Sequence, residues 1–333
     1  MVSLGLWGSL GATACVVAPA FAHHPSTIGH PPSVMPDRLF AATGPLRLSA
    51  YKRIPDRELD FDVWSGKPDE GMPNLSDPNL GQLYVRRGQQ KMNNHDYYGA
   101  IAEFTRAIDA NPNLIWAYRL RSHCLLNVGN YPEGIDDLSV LLTFNPEDTV
   151  AYTNRGIARL EMGDYRGAIE DLSALISFKP DDTAAYSNRS VAKMELGDLR
   201  GALEDITVTI DRMPTLAPAF NNRGQIKWRM RDLPGALADT DEAIRLSPGF
   251  VEAYANRGEI KAALGDFHGA IDDCTKALTL NSTYAHAYLY RGQAYLGLNN
   301  RTAARSDLNK AVALDKSLIE EASALMPEFK SGK

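Results

Sequence analysis

The chain repeats one pattern at a fixed interval of 34 residues, seven times in succession. An aromatic residue precedes a small residue by four positions in each block, and a second small residue follows twelve positions later. A constant period of this length predicts a stack of similar supersecondary units, each burying its apolar face against its neighbours. The first small residue marks the seven blocks at Gly88, Ser122, Gly156, Ser190, Gly224, Gly258 and Gly292.

Each block carries the apolar spacing of two helices. In the third block Ala168, Leu172 and Leu175 lie on one helical face. The pair Gly163-Asp164 stands before it, with glycine suited to end one helix and Asp to cap the next. A 34-residue unit with these marks resembles the tetratricopeptide repeat, and the resemblance covers residues 81–318. It implies an all-α, right-handed superhelical α-solenoid of seven helix-turn-helix repeats, followed by a C-terminal capping helix and tail at 317–333.

Every block also has an arginine before the small residue and an acid sixteen positions later. Because the two helices of a hairpin face each other, we expect a partly buried ion pair inside each unit. This arginine column resembles that of the Asn-Arg-Gly subclass of the repeat. The expected pairs are Arg87–Glu103, Arg121–Asp137, Arg155–Asp171, Arg189–Asp205, Arg223–Asp239, Arg257–Asp273 and Arg291–Asp307.

The N-terminal part differs in composition from the repeats. Residues 1–22 carry no charged side chain and end in Ala20-Phe21-Ala22, which predicts a secretory signal peptide cleaved after Ala22. The small residues before Cys15 make a lipid anchor at this cysteine an alternative to cleavage. If the N-terminus is misread, the protein would instead remain in the cytoplasm. The Pro-rich residues 23–80 predict a disordered linker whose histidines form no selective metal site. The N-terminal apolar stretch is too interrupted for an integral membrane span.

The first helices of such a stack line its concave side, where a ligand would bind. The residue before the arginine is asparagine in the four central units, at Asn154, Asn188, Asn222 and Asn256. This column resembles the asparagine ladder of the tetratricopeptide superhelix in O-linked N-acetylglucosamine transferase, which holds a peptide backbone. An amide both donates and accepts hydrogen bonds, so the column predicts a peptide-binding groove.

A second column adds apolar residues to the predicted groove, at Met92, Leu126, Leu160, Met194 and Trp228. Packing between neighbouring repeats is the alternative for these residues. Local pockets are predicted around Trp116, Arg119 and His123 and around Arg229.

Composition and motifs narrow the class of function. The 35 basic and 41 acidic residues give no basic stripe for nucleic acid. No metalloprotease, serine-hydrolase or phosphate-loop motif occurs, so we expect no enzyme, cofactor or metal site. No three consecutive units carry the carboxylate clamp for chaperone C-termini. The sequence predicts a non-catalytic protein- or peptide-binding scaffold exported to the periplasm or cell envelope. The alternatives are a cytoplasmic subunit of a larger complex and an accessory solenoid that binds a saccharide.

Overall fold

The computed structural model describes residues 80–327, and this range is helical throughout apart from its short connections. The predicted signal peptide, all but the last residue of the predicted linker, and residues 328–333 of the tail lie outside the described range. The helices are α1 Leu80–Asn93, α2 Tyr97–Ala110, α3 Ile115–Asn127, α4 Tyr131–Phe144, α5 Thr149–Glu161, α6 Tyr165–Phe178, α7 Thr183–Glu195, α8 Leu199–Arg212, α9 Ala217–Arg229, α10 Leu233–Leu246, α11 Val251–Ala263, α12 Phe267–Leu280, α13 Ala285–Gly297, α14 Arg301–Leu314 and α15 Ile319–Leu325.

Consecutive helices form seven pairs between α1 and α14, and the second helix of each pair packs on the first helix of the next. The first helices also contact one another, as α9 does α11 and α11 does α13. Within 80–327 the neighbouring second helices make no comparable contact. The first helices therefore lie on the inner side of the curved stack. This arrangement confirms the predicted α-solenoid.

The turn inside each pair has the same backbone geometry. Its next-to-last residue lies in the left-handed region, with φ +75° at Gly163 and +82° at Gly197. Non-glycine residues adopt this conformation at His95, Arg231 and Asn299. The residue that follows caps the second helix: Asp164 accepts from the backbone N–H of Gly167 at 3.0 Å. The predicted Gly-Asp turns are thus confirmed.

The predicted arginine–acid pairs form in the second to seventh units, with both carboxylate oxygens accepting at 2.6–3.0 Å. In the first unit the prediction is wrong. Glu103 instead pairs with Lys91 at 3.1 Å and with Arg106 at 2.8 Å. Glutamate is one methylene longer than aspartate, and its Oε1 contacts both Lys91 of α1 and Arg106 of α2.

The C-terminal cap follows a short 3-10 helix at Lys316–Leu318. Leu318 and Ala322 are fully buried in the cluster that includes Leu308 of α14. Ile319, the first residue of α15, is 37% exposed. The change from 3-10 to α geometry at this residue shifts the helical phase and turns Ile319 outward.

Candidate functional site

The candidate site is the inner face, by which we mean the side of α7, α9 and α11 where neighbouring first helices meet. It carries a concentration of buried polar residues: Ser187, Asn188, Asn221, Asn222, Gln225, Asn256 and Glu259. Each is at most 7% exposed. Polar groups at this depth need hydrogen-bond partners, so the contacts of these side chains bear on whether the inner face can bind a ligand.

The predicted asparagine column lies within or beside this face. Asn154 is partly buried, while Asn188, Asn222 and Asn256 are almost fully buried. The Nδ2 of Asn256 donates to the Oδ1 of Asn221 at 2.9 Å, which joins α11 to α9. The amide of Asn256 therefore has an internal partner one unit away.

The residues of the predicted apolar column are more deeply buried than residues that line a groove would be. Leu160, Met194 and Trp228 are 0%, 1% and 6% exposed and belong to three hydrophobic clusters. Trp228 packs with Ile260 of the next unit. Met92 and Leu126 are partly buried at the margins of clusters in the first two units. These contacts favour packing between repeats for this column.

The predicted pocket near the N-terminal end contains one aromatic residue open to solvent. Trp116 is 54% exposed, and the guanidinium carbon of Arg119 lies 5.9 Å from its ring centroid. Arg119 also forms an ion pair with Asp148, the capping residue of α5. The Nε2 of His123 lies 3.2 Å from the Nδ2 of Asn127, and burial lowers the pKa of His123. The imidazole is thus held neutral near pH 7.

Arg229 serves as a bridge between two units. Its guanidinium donates to the Glu195 carboxylate at 2.8 Å and to the Met194 carbonyl at 2.9 Å. Burial raises the pKa of Glu195, and Arg229 opposes that shift. The Nε of Arg229 is buried without a hydrogen-bond partner, so one donor on this side chain is unused.

Sequence reasoning missed four polar residues of the inner face. Their buried atoms lack hydrogen-bond partners: Ser187 Oγ, Asn221 Nδ2, Gln225 Oε1 and Nε2, and Glu259 Oε2. A signal for two of them was present two positions after the arginine. That column is apolar only at Ile157 and Val191 and polar in the other five units, at Gln89, His123, Gln225, Glu259 and Gln293.

The described residues contain neither of two other kinds of site. Within 80–327, no three or more His, Cys, Asp or Glu side chains are grouped so as to hold a metal ion. In the same range, every helix falls short of the length and apolar character needed to cross a bilayer.

Family models of the tetratricopeptide repeat match three segments, at residues 153–212, 251–284 and 285–318. The last two matches coincide with the sixth and seventh 34-residue blocks. No curated protein sequence matches the chain.

Solved structures with the same architecture include a tetratricopeptide repeat protein from Parabacteroides merdae, with a TM-score of 0.66 at 17% identity. That alignment covers 74% of this chain and 98% of the other. One chain in the structure of the APC/C hetero-tetramer Cut9–Hcn1 aligns with a TM-score of 0.55 at 17% identity, over 78% of this chain and 57% of that one. At these identities the likeness concerns the fold. The protein is therefore an α-solenoid that contains tetratricopeptide repeats.

Proposed function

We propose that this protein is a non-catalytic scaffold whose seven units bind an extended peptide segment of a partner protein along the inner face. Tetratricopeptide repeats support a protein-interaction role in general. The observation that carries this particular proposal is the set of buried polar atoms without partners on α7, α9 and α11. A buried polar group without a hydrogen bond costs about 1–3 kcal/mol, so a ligand that satisfies several of them gains affinity.

The chemistry of these atoms suits a peptide backbone. Asn221 offers an N–H donor, and the amide of Gln225 offers both a donor and an acceptor. An extended backbone presents N–H and C=O groups in alternation, so it satisfies such a surface without a particular side-chain sequence. Arg229 adds the unused Nε donor beside this row.

A binding experiment tests this assignment. Fluorescent, N-acetylated and C-amidated nine-residue peptide mixtures would be titrated against the full protein, next to the same mixtures N-methylated at alternate residues. We expect the N-methylated mixtures to bind about tenfold more weakly, because methylation removes the backbone N–H groups that would donate hydrogen bonds to the Gln225 oxygen. The double variant Asn221→Ala/Gln225→Ala should lower the affinity for unmodified mixtures by a similar factor.

Two exposed amides outside the inner face provide the matched control, Asn94→Ala/Asn113→Ala. It should leave binding unchanged. Equal binding of methylated and unmodified peptides, or no effect of Asn221→Ala/Gln225→Ala, would contradict the proposal. A glycan array run with the same variants addresses the saccharide alternative. Glycan binding that Asn188→Ala/Asn222→Ala abolishes would favour that function instead.

We also propose export to the cell envelope, on the apolar, uncharged residues 1–22 and their small-residue ending. Determining the first residue of the mature protein tests this: His23 is expected. A blocked, lipid-modified Cys15 would indicate an anchored form, and an intact Met1 would favour the cytoplasmic alternative.

A further inference from the structure

The inner face ends in a buried acidic corner formed by three helices. Glu259 of α11 is 7% exposed, and its Oε2 has no hydrogen-bond partner. Glu321 of the capping helix α15 lies near enough for its charge to act on Glu259. The Tyr290 hydroxyl of α13 interacts with the same carboxyl group. The corner therefore joins the sixth unit, the seventh unit and the cap.

No basic residue neutralises this corner within the described range. Glu259 and Glu321 form no ion pair there, and the only cation that acts on Glu259 is Arg229. Arg229 is itself bound to Glu195 at 2.8 Å. Burial and the charge of Glu321 raise the pKa of Glu259 well above its usual range. Burial, with the charge of Asp315, raises the pKa of Glu321 to about 7.

Two tyrosines lie near Glu259, since its charge acts on Tyr284 and Tyr290. The ring of His286 lies between those of Tyr284 and Tyr290, at centroid distances of 5.7 and 6.0 Å. Aromatic faces attract ammonium and guanidinium groups, most strongly where water is excluded. The amide of Gln225, which is 1% exposed and has both polar atoms unpartnered, occupies the same repeat position as Glu259 one unit earlier.

We infer that this corner is a pocket for a cationic side chain, lysine or arginine, of the segment that binds the inner face. The inference rests on the proposed function, because the side chain reaches the pocket from a backbone held by Asn221 and Gln225. A cation between Glu259 and Glu321 forms charge-assisted hydrogen bonds and offsets the repulsion between the two carboxylates. The scaffold then distinguishes ligands by charge at one position while remaining tolerant of sequence elsewhere.

The test uses four peptide mixtures on the full protein. Each is a nine-residue, N-acetylated and C-amidated mixture with one fixed central residue: arginine, lysine, citrulline or norleucine. Citrulline keeps the shape of arginine and removes its charge. We expect the arginine and lysine mixtures to bind about tenfold more tightly than their neutral counterparts, which corresponds to about 1.4 kcal/mol. Glu259→Gln should reduce this ratio to near one.

A second variant keeps the pocket testable if Glu259→Gln fails to fold. Glu321 lies in the capping helix α15, and Glu321→Gln should reduce the ratio of affinities between charged and neutral mixtures. The substitution Glu170→Gln, at an exposed residue, should not change this ratio. A ratio near one in the wild type overturns the pocket. If the mixtures then still bind and Asn221→Ala/Gln225→Ala still weakens them, the groove stands without the pocket. If none of the four mixtures binds, both the groove and the pocket are overturned.

Discussion

Arg189 donates two parallel hydrogen bonds to the carboxylate of Asp205, from Nε at 2.8 Å and from Nη2 at 2.7 Å. Its third nitrogen, Nη1, donates to the hydroxyl of Ser173 in the preceding unit at 3.0 Å. The guanidinium also lies 5.5 Å from the ring centroid of Tyr186. One side chain thus closes its own hairpin, attaches it to the previous one and packs on the aromatic residue of the repeat.

Replacing Asp205 by alanine should destabilise the protein by about 3 kcal/mol, because Arg189 would be left partly buried without its carboxylate. Lys193, which contacts Asp205 at 2.8 Å, would lose its partner as well. Urea denaturation followed by far-ultraviolet circular dichroism measures the change in midpoint. The matched control is the exposed Asp181→Ala. Equal midpoints for the two variants would show that the pair does not stabilise the hairpin.

The hydroxyl of Ser173 carries a separate prediction. Ser173→Ala should cost about 1 kcal/mol, since it removes one hydrogen bond to a charged donor. The double variant with Asp205→Ala should cost less than the sum of the single effects, because both residues act through Arg189. A double-mutant cycle in urea gives the coupling energy. Strict additivity would mean that Arg189 does not connect the third and fourth units energetically.

The 34-residue period was sufficient to predict the hairpins, their turns and the arginine pairs of the second to seventh units, because residues that recur at this period form each of them. The link from Arg189 back to Ser173 was not predicted, since the two residues belong to different units. The exception at Glu103 was also missed. A single added methylene changes which cations a carboxylate reaches, and spacing alone does not show this.

The inner face was harder to predict for a related reason. The asparagine column was recognised by residue type, whereas the partnerless atoms of Gln225 and Glu259 depend on how first helices of adjacent units meet. Apolar residues such as Met194 and Trp228 have the same periodicity whether they line a groove or pack between repeats. Burial in the folded stack distinguishes these roles, and it depends on the curvature of the stack as a whole.

Gly258 provides a prediction about packing within a hairpin. A Cβ atom at this position would lie 2.6 Å from the Sγ of Cys274 and 3.1 Å from the carbonyl oxygen of Ala270. Gly258→Ala should therefore destabilise the protein by about 1–3 kcal/mol through overpacking. Adding Cys274→Ala removes the closer contact and should recover part of the loss. Gly249→Ala, at a glycine with no heavy atom near its Cβ position, is the control.

The wild type and these three variants would be compared by thermal unfolding. If Cys274→Ala lowers the stability of Gly258→Ala further, backbone contact with Ala270, and not the thiol, limits the space at this position.

Glu161 makes the stability of the protein depend on pH. Burial raises the pKa of this carboxyl group to about 7 from 4.5, and its Oε1 is buried without a partner. The folded state therefore favours the neutral acid. Its contribution to stability is present below pH 4.5 and is lost as the pH rises towards 7. Glu161→Gln should leave stability unchanged at low pH and raise it by about 1 kcal/mol at pH 8, an amount reduced for partial exposure.

Urea midpoints of wild type and Glu161→Gln at several pH values between these limits measure the difference directly. The exposed Glu170→Gln controls for the general effect of removing one negative charge from an acidic protein. The difference between the two variants should grow across the interval in which Glu161 ionises in the unfolded chain but stays protonated in the folded one. A constant difference at all pH values would show that burial does not hold Glu161 neutral and that its carboxylate is solvated at the end of α5.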